Sequence, residues 1–328
     1  MHSQITRATA VAHPNIAFIK YWGNSNDSLR IPANGSISMN LAELETITSV
    51  TFDSALSVDQ FTFNHKPADP QQCQRVSAFL DIVRQMADTP SHAKVVSENN
   101  FPAGSGIASS ASAFAALALA SSSALGLSLS EKDLSRLARR GSGSASRSIP
   151  TGFVEWYPGQ TDDTSYSVSI AQPEHWDLVD VIVLVDTQHK KVGSTEGHTA
   201  ALTSPLQSAR VTDSSHRLDI CRKSILDRDF SNLADIIEQD CLLMHAVMMT
   251  SVPPLFYWLP STLVLMQKVS EWRSNSLPIS YTIDAGPNLH LITTSEYVDQ
   301  IRSELHRLPQ VVDLYVTHPG GPAAVLES

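Results

Sequence analysis

The sequence predicts an α/β (α+β) protein of two lobes, a mixed α/β lobe over residues 1–190 followed by an α+β lobe over 191–328. Three observations predict it. The first half alternates strand-like and helix-like patterns, and from Ser204 onward three helical patterns in a row precede a set of short strands. With 328 residues, the chain is long enough to bury two cores. The change of character places the boundary between 187 and 204.

Residues 47–52 and 58–63 alternate apolar and polar types across a short polar link, which predicts a β-hairpin. Over 71–87, Val76, Phe79, Leu80, Val83 and Met86 recur at helical spacing, and 95–97 is extended. The Ala-rich run that follows Gly104 and Gly106 has strong helix propensity to about 125, where Gly126 stops it. Ser130, three residues before Asp133, reads as the N-cap of a helix ending near Arg140. Residues 153–157 and 178–186 read as strands, the second a Val/Ile run suited to burial. The later helical patterns cover 204–226, 231–249 and 261–272. Strands over 280–284 and 290–293, a helix over 295–308 and a strand over 311–316 complete the chain.

A net charge of −10 argues against a nucleic-acid partner, since such proteins need a basic face to displace counterions. Cys73, Cys221 and Cys241 are odd in number and widely spaced, so neither a disulfide framework nor a zinc site is expected. The first fifteen residues lack the basic start and apolar run of a secretory leader, and serines interrupt the apolar stretch 107–125. The expectation is a cytoplasmic protein with no membrane partner.

Four segments carry candidate chemistry. The first runs from Asn99 through Pro102, Gly104, Ser105, Gly106 and Ala108 to Ser109 and Ser110, a glycine turn entering a helix. Free amides there suit a phosphate, although such a turn on its own is more often a plain cap. No lysine follows, so it is not a Walker-type loop. The second, from Gly141 to Ser148, gathers Ser142, Ser144, Ser146 and Ser148 around Arg147, whose guanidinium can clamp a carboxylate or phosphate; the bland alternative is a solvated serine loop. The third runs from Asn15 into Lys20, Tyr21, Trp22, Gly23 and Asn24, an apolar run ending in a lysine flanked by aromatics. In the fourth, Asp284 ends a strand before Ala285, Gly286, Pro287 and Asn288. Taken singly, that lysine reads equally as a snorkelling surface residue and that aspartate as a turn residue. His245 with Met244, Met248 and Met249 reads as core packing, and His13, His290 and His318 lack metal-ligand spacing.

Together and in this order, the segments resemble the mevalonate diphosphate decarboxylase family of the GHMP kinase superfamily, and among its members the phosphomevalonate decarboxylases. Asn15 to Gly23 resembles its N-I-A-x-I-K-Y-W-G block, Pro102 to Ala111 its P-x-x-x-G-x-A-S-S-A block, Ser142 to Ser148 its S-G-S-A-x-R-S block, and Asp284 to Asn288 its D-A-G-P-N block. Gly152 to Trp156 and the stretch from Lys190 and Lys191 to Gly197 also look like the family. The resemblance implies a GHMP-kinase-like fold with a ferredoxin-like C-terminal lobe, a site in the cleft, ATP and Mg²⁺ as requirements, and a homodimer.

The roles it implies are these. Asp284 accepts or orients the proton of the substrate's 3-hydroxyl, Lys20 offsets charge on the transferring phosphoryl, and Arg147 holds the substrate carboxylate. Asn15, Tyr21, Asn24, Ser142 and Ser144 line the substrate. Ser97, Asn99, the turn 102–108, Ser109 and Ser110 receive the nucleotide, with Ser109 as the Mg²⁺ ligand. The family pattern has a lysine after Trp-Gly, where this chain has Asn24, so a pocket one cation poorer is expected to prefer 5-phosphomevalonate over the 5-diphosphate, unless Arg30, Lys190 or Lys191 restores the charge. The rivals are a 3-kinase that stops before decarboxylation and a non-catalytic metabolite binder.

Overall fold

The computed structural model describes residues 5–101, 109–186 and 193–327. The chain opens with β1 (Ile5–Ala12), β2 (Asn15–Ile19), a two-stranded ribbon of β3 (Asn24–Asn26) and β4 (Ile31–Pro32), then β5 (Ser36–Asn40), β6 (Thr46–Asp53), β7 (Gln60–Phe63) and β8 (Lys66–Pro67). Helix α1 (Pro70–Ala87) starts at a capping box in which Asp69 accepts the Gln72 amide and the Gln72 side chain accepts the Asp69 amide. β9 (His92–Asn99) and α2 (Ser109–Ala124) follow, and the alanines of α2 let it lie close against β1 and β6. Ser130 caps α3 (Glu131–Gly141), as its spacing to Asp133 predicts. A 3-10 turn over Gly143–Ser148 then leads to β10 (Phe153–Tyr157), β11 (Tyr166–Ala171) and β12 (Leu178–Leu184).

The second half holds α4 (Ser194–Ala200), α5 (Gln207–Thr212), α6 (Ser214–Asp227), α7 (Phe230–Thr250), α8 (Pro260–Ser274), β13 (Ser280–Thr282), β14 (Leu289–Thr294), α9 (Val298–Leu305), β15 (Asp313–Thr317) and β16 (Ala324–Glu327). The helix expected over 204–226 is two, broken at Asp213, whose carboxylate instead pairs with Arg217.

Three sheets organise these elements, in the orders β16-β1-β6-β9-β7-β8, β11-β10-β5-β2 and β13-β14-β12-β15. The third sheet is antiparallel throughout and, with α7 and α9, has the β-α-β-β-α-β order of a ferredoxin-like unit. The expected hairpin over 47–63 does not form. β1 and β9 occupy both edges of β6, and β7 instead pairs parallel to β9, with α1 as the crossover. Asp59 draws the link away, because its carboxylate accepts from Arg84, Ser77 and the Ala93 amide. The sheets also do not divide at 190. β12 hydrogen-bonds into the sheet of the second half, and β16 returns to pair with β1.

One core therefore belongs to both halves. Ile16, Phe18, Ile37 and Phe153 pack in a single cluster with Ile182, Ile225, Ile237 and Ile292. Burial of this apolar surface is what sets the end of β2 against the end of β13.

Candidate active site

β2 is buried along its whole length, and the chain leaves it at Lys20. The Lys20 side chain is 1% exposed, and its Nζ donates to Asp284 Oδ1 at 2.5 Å. Asp284 follows β13, and its side chain keeps 27% exposure, so the carboxylate faces both the lysine and the cleft. Burial pushes its carboxyl up, but the charge and hydrogen bond of Lys20, then His290 and Arg147, outweigh that and hold it below the usual carboxylate range. The preceding carbonyl is fixed as well: Cys241 Sγ and His245 Nε2 both lie on Ile283 O, at 3.7 and 3.2 Å. Burial pushes the His245 imidazole down to about 3, so it is neutral and donates there.

The backbone after β2 has no strand to pair with, yet it is buried and must be satisfied. Charged groups from three helices do this. The Lys20 N–H donates to Asp240 Oδ2 of α7 at 2.6 Å, and Arg217 of α6 holds the other Asp240 oxygen at 2.7 Å. Arg210 of α5 donates to Lys20 O at 2.7 Å, beside Asn34 at 3.0 Å, and Gln207 donates to Trp22 O at 2.8 Å. Charge-assisted bonds of this length fix direction as well as distance.

Arg147, 3% exposed in the 3-10 turn, donates through Nε and Nη2 to Asn15 Oδ1 at 3.2 and 3.0 Å and through Nη1 to Ser36 Oγ at 2.7 Å. These contacts use three of its five N–H donors and leave two for a ligand. Burial brings its pKa down to about 10, so it stays cationic at neutral pH. Asn15 is committed to this scaffold, since its amide donates to Ser148 Oγ at 2.8 Å and Ser144 O at 3.2 Å. Gly143 is required here, because a Cβ would come within 2.5 Å of the Tyr21 ring. Tyr21 stacks on His198 at 4.1 Å, and its hydroxyl donates to Asn24 Oδ1 at 2.5 Å. The Asn24 amide in turn donates to Asp27 Oδ1 at 2.8 Å, so both polar ends of Asn24 are engaged.

A cavity of about 370 Å³ lies alongside, lined by Thr48, Phe61, Arg75, Ser97, Ser109 and Ser110 among others. Ser97 Oγ is bonded to Thr48 Oγ1 at 2.8 Å, and Ser110 Oγ to Ser142 Oγ at 3.2 Å, which ties the start of α2 to the arginine turn. Asn99 is turned aside, its oxygen accepting from Thr46 Oγ1 at 2.8 Å. Pro102, Gly104, Ser105, Gly106, Ala108, Lys190 and Lys191 lie outside the described residues. Among the described residues, no three His, Cys, Asp or Glu side chains converge as a metal site, and no helix is long and apolar enough to cross a membrane.

Sequence patterning does not single out Arg75, Asp240, Arg210 or Arg217. Arg75 sits within an ordinary amphipathic helix, yet it donates to Gly141 O at 2.8 Å and lies 4.5 Å from the Phe114 ring. Burial, and then Arg30, bring its pKa down to about 10. Arg30 holds the adjacent Arg140 O at 3.1 Å. The three others lie in motif-free helices, and only the fold brings them to Lys20.

Residues 12–167 match the family model described as the diphosphomevalonate decarboxylase-like N-terminal domain, and 180–318 that of the mevalonate 5-diphosphate decarboxylase C-terminal domain. The chain belongs to the diphosphomevalonate decarboxylase family. A diphosphomevalonate decarboxylase of Candida albicans is 36% identical over 92% of this chain and 88% of its own. A phosphomevalonate decarboxylase of Haloferax volcanii is 31% identical over 98% of both chains. A solved structure described as MDDEF in complex with MVAPP, AMPPCP and magnesium superposes with a TM-score of 0.94 at 38% identity, covering 99% of this chain and 100% of that one. Membership makes the chain a decarboxylase of phosphorylated mevalonate with the family's GHMP-kinase-like fold.

Proposed function

We propose that the protein converts 5-phosphomevalonate and ATP to isopentenyl phosphate, ADP, phosphate and CO₂. The observation that carries the monophosphate is Asn24. Where the family pattern has a lysine, this side chain is bound at one end by the Tyr21 hydroxyl and at the other by the Asp27 carboxylate. Both polar ends of Asn24 are thus already engaged, and the Asp27 carboxylate sets an anion beside any further phosphate at this position. Arg30 and Arg75 give the same region two guanidiniums, which is the observation in favour of the 5-diphosphate instead.

The buried charges support one sequence of events. Asp284, held as a carboxylate, takes the proton of the 3-hydroxyl as that oxygen bonds to the γ-phosphorus and the bond to ADP breaks. Lys20 positions Asp284 and offsets charge on the transferring phosphoryl. The two free N–H donors of Arg147 receive the substrate carboxylate. When the C3–O bond breaks and the new phosphate departs, the electrons of the bond to the carboxylate form the alkene, and CO₂ is released. Charge thus moves from the arginine towards the leaving phosphate, and no external base or oxidant is needed.

The 370 Å³ cavity, with its hydroxyls and Arg75, suits a nucleotide. Ser109 at the start of α2 suits a magnesium ion held mainly by phosphate oxygens, as the protein's own donor. Such an ion would neutralise phosphate charge during transfer.

Steady-state kinetics with the two substrates test the assignment. The monophosphate is expected to have a kcat/KM higher by about tenfold or more, which corresponds to ~1.4 kcal/mol in the transition state. The opposite order would overturn it.

A further inference from the structure

Helix α7 holds the main chain of both partners in the Lys20–Asp284 pair. Asp240 accepts the Lys20 N–H, while Cys241 and His245, one turn apart on the same helix face, reach the Ile283 carbonyl that precedes Asp284. That carbonyl needs donors from outside its sheet. Pairing between β13 and β14 ends at Thr282, and Ile283 is fully buried just beyond the ladder. A thiol is a weak donor and lies at 3.7 Å, so the imidazole at 3.2 Å is the main partner. The His245 ring is itself seated, 2% exposed and 4.5 Å from the Trp258 ring.

We propose that His245 is a positioning residue: by donating to Ile283 O, it sets the direction from which the Asp284 carboxylate meets Lys20 and the substrate hydroxyl. The inference rests on Asp284 being the proton acceptor. A peptide unit is planar, so fixing Ile283 O fixes the plane that carries Asp284 N and Cα. Beyond it, the Gly286 amide holds Asp284 O at 2.8 Å and Thr262 Oγ1 holds Pro287 O at 2.7 Å. The aspartate is thus gripped on both sides, and His245 supplies the upstream grip. Phosphoryl transfer depends on alignment, so a tilted carboxylate costs rate rather than affinity.

A neutral donor suits this place. Lys20 already holds the Asp284 carboxyl low, and a second buried cation would make the carboxylate a poorer base still; burial keeps the imidazole uncharged. If His245 were core packing alone, an apolar ring would serve as well.

The test compares His245→Phe, which keeps a ring against Trp258 and removes the donor, with His245→Gln, whose amide can return an N–H near Nε2. In the first, kcat should fall by about tenfold or more with KM for both substrates within about threefold, and the second should recover most of the loss. If His245→Phe does not fold, the flexible, apolar His245→Met takes its place. The deciding measurement repeats the substitution in Asp284→Asn, with ADP release followed over long incubations. With the carboxylate gone there is nothing to position, so the remaining kcat should drop by less than about twofold. The proposal is overturned if the apolar variant keeps the wild-type kcat, if Gln does no better than the apolar residue, or if the full loss recurs in Asp284→Asn. Normal turnover of Asp284→Asn itself would instead remove the assignment of Asp284; a slowed Asp284→Asn in which the His245 effect persists removes only this inference.

Discussion

At one end of the pocket, Lys20 is 1% exposed and meets Asp284 at 2.5 Å, its backbone held on both sides by Asp240 and Arg210. At the other end, Asn24 reaches Asp27 on a two-stranded ribbon whose tip is open to water, and Arg30 has a left-handed φ of 50° in the turn. The first end takes groups from both halves of the chain, and the second takes them mostly from one turn and the end of α3. Buried charges in low dielectric act strongly and tolerate little displacement, whereas exposed ones are screened and can change without loss of the fold. Chemistry is therefore expected to be brittle at the Lys20 end and specificity adjustable at the Asn24 end.

The largest effect should come from the reacting end itself. Asp284→Asn keeps the shape and removes the proton acceptor, so kcat should fall by about 10³-fold or more with KM little changed. It also leaves the Lys20 ammonium buried without its counter-charge, so thermal melting must accompany the kinetics. Near-normal turnover in a folded variant would move the proton to another group and remove the contrast between the two ends.

Asp240→Ala should act through the scaffold. Arg217, 1% exposed, loses its buried counter-charge and keeps only the half-exposed Asp213, and the Lys20 amide loses its acceptor; breaking a buried pair costs about 3–5 kcal/mol, and the remaining Asp213 contact should keep the loss towards the lower end. The expected outcome is a lower denaturation midpoint together with a fall in kcat. Asp240→Asn, which can still accept the Lys20 N–H, should recover more of the kcat than of the stability. Equal recovery of both would mean that the charge on Asp240 matters no more than its hydrogen bond.

These two sites differ in how far the sequence exposes them. Lys20, Asp284 and Arg147 stand in segments whose order resembles a known family, and the structure brings the three to one place. Asp240 and Arg210 could not be read in that way, because their targets are backbone atoms more than 180 residues away, and no side-chain pattern marks them. The same limit appears in the fold. Local signals located α1 through its apolar spacing, α3 through its cap and the strand β10, since those depend on near neighbours. The hairpin over 47–63 failed because the edges of β6 are claimed by β1 and by β9, and strand partners are chosen by the whole sheet. The division at 190 missed β12 for a related reason: a buried Val/Ile run fits any central strand, and only β14 and β15 show which sheet it completes.

The smallest effect, and the sharpest test of the adjustable end, is Asn24→Lys. A lysine there would meet Asp27, which now accepts from the Asn24 amide, and part of its charge would be spent on that carboxylate. The ratio of kcat/KM for the 5-diphosphate to that for the 5-monophosphate should therefore rise by only about tenfold, and further in Asn24→Lys/Asp27→Asn, where the competing anion is gone. Asn24 is itself buried and accepts from the Tyr21 hydroxyl, so both variants should lose some thermal stability, and the ratio of the two kcat/KM values is read on the folded protein. A ratio that stays fixed in both variants would place the tail phosphate away from residue 24, and Arg30 and Arg75 would then be the groups that set its number.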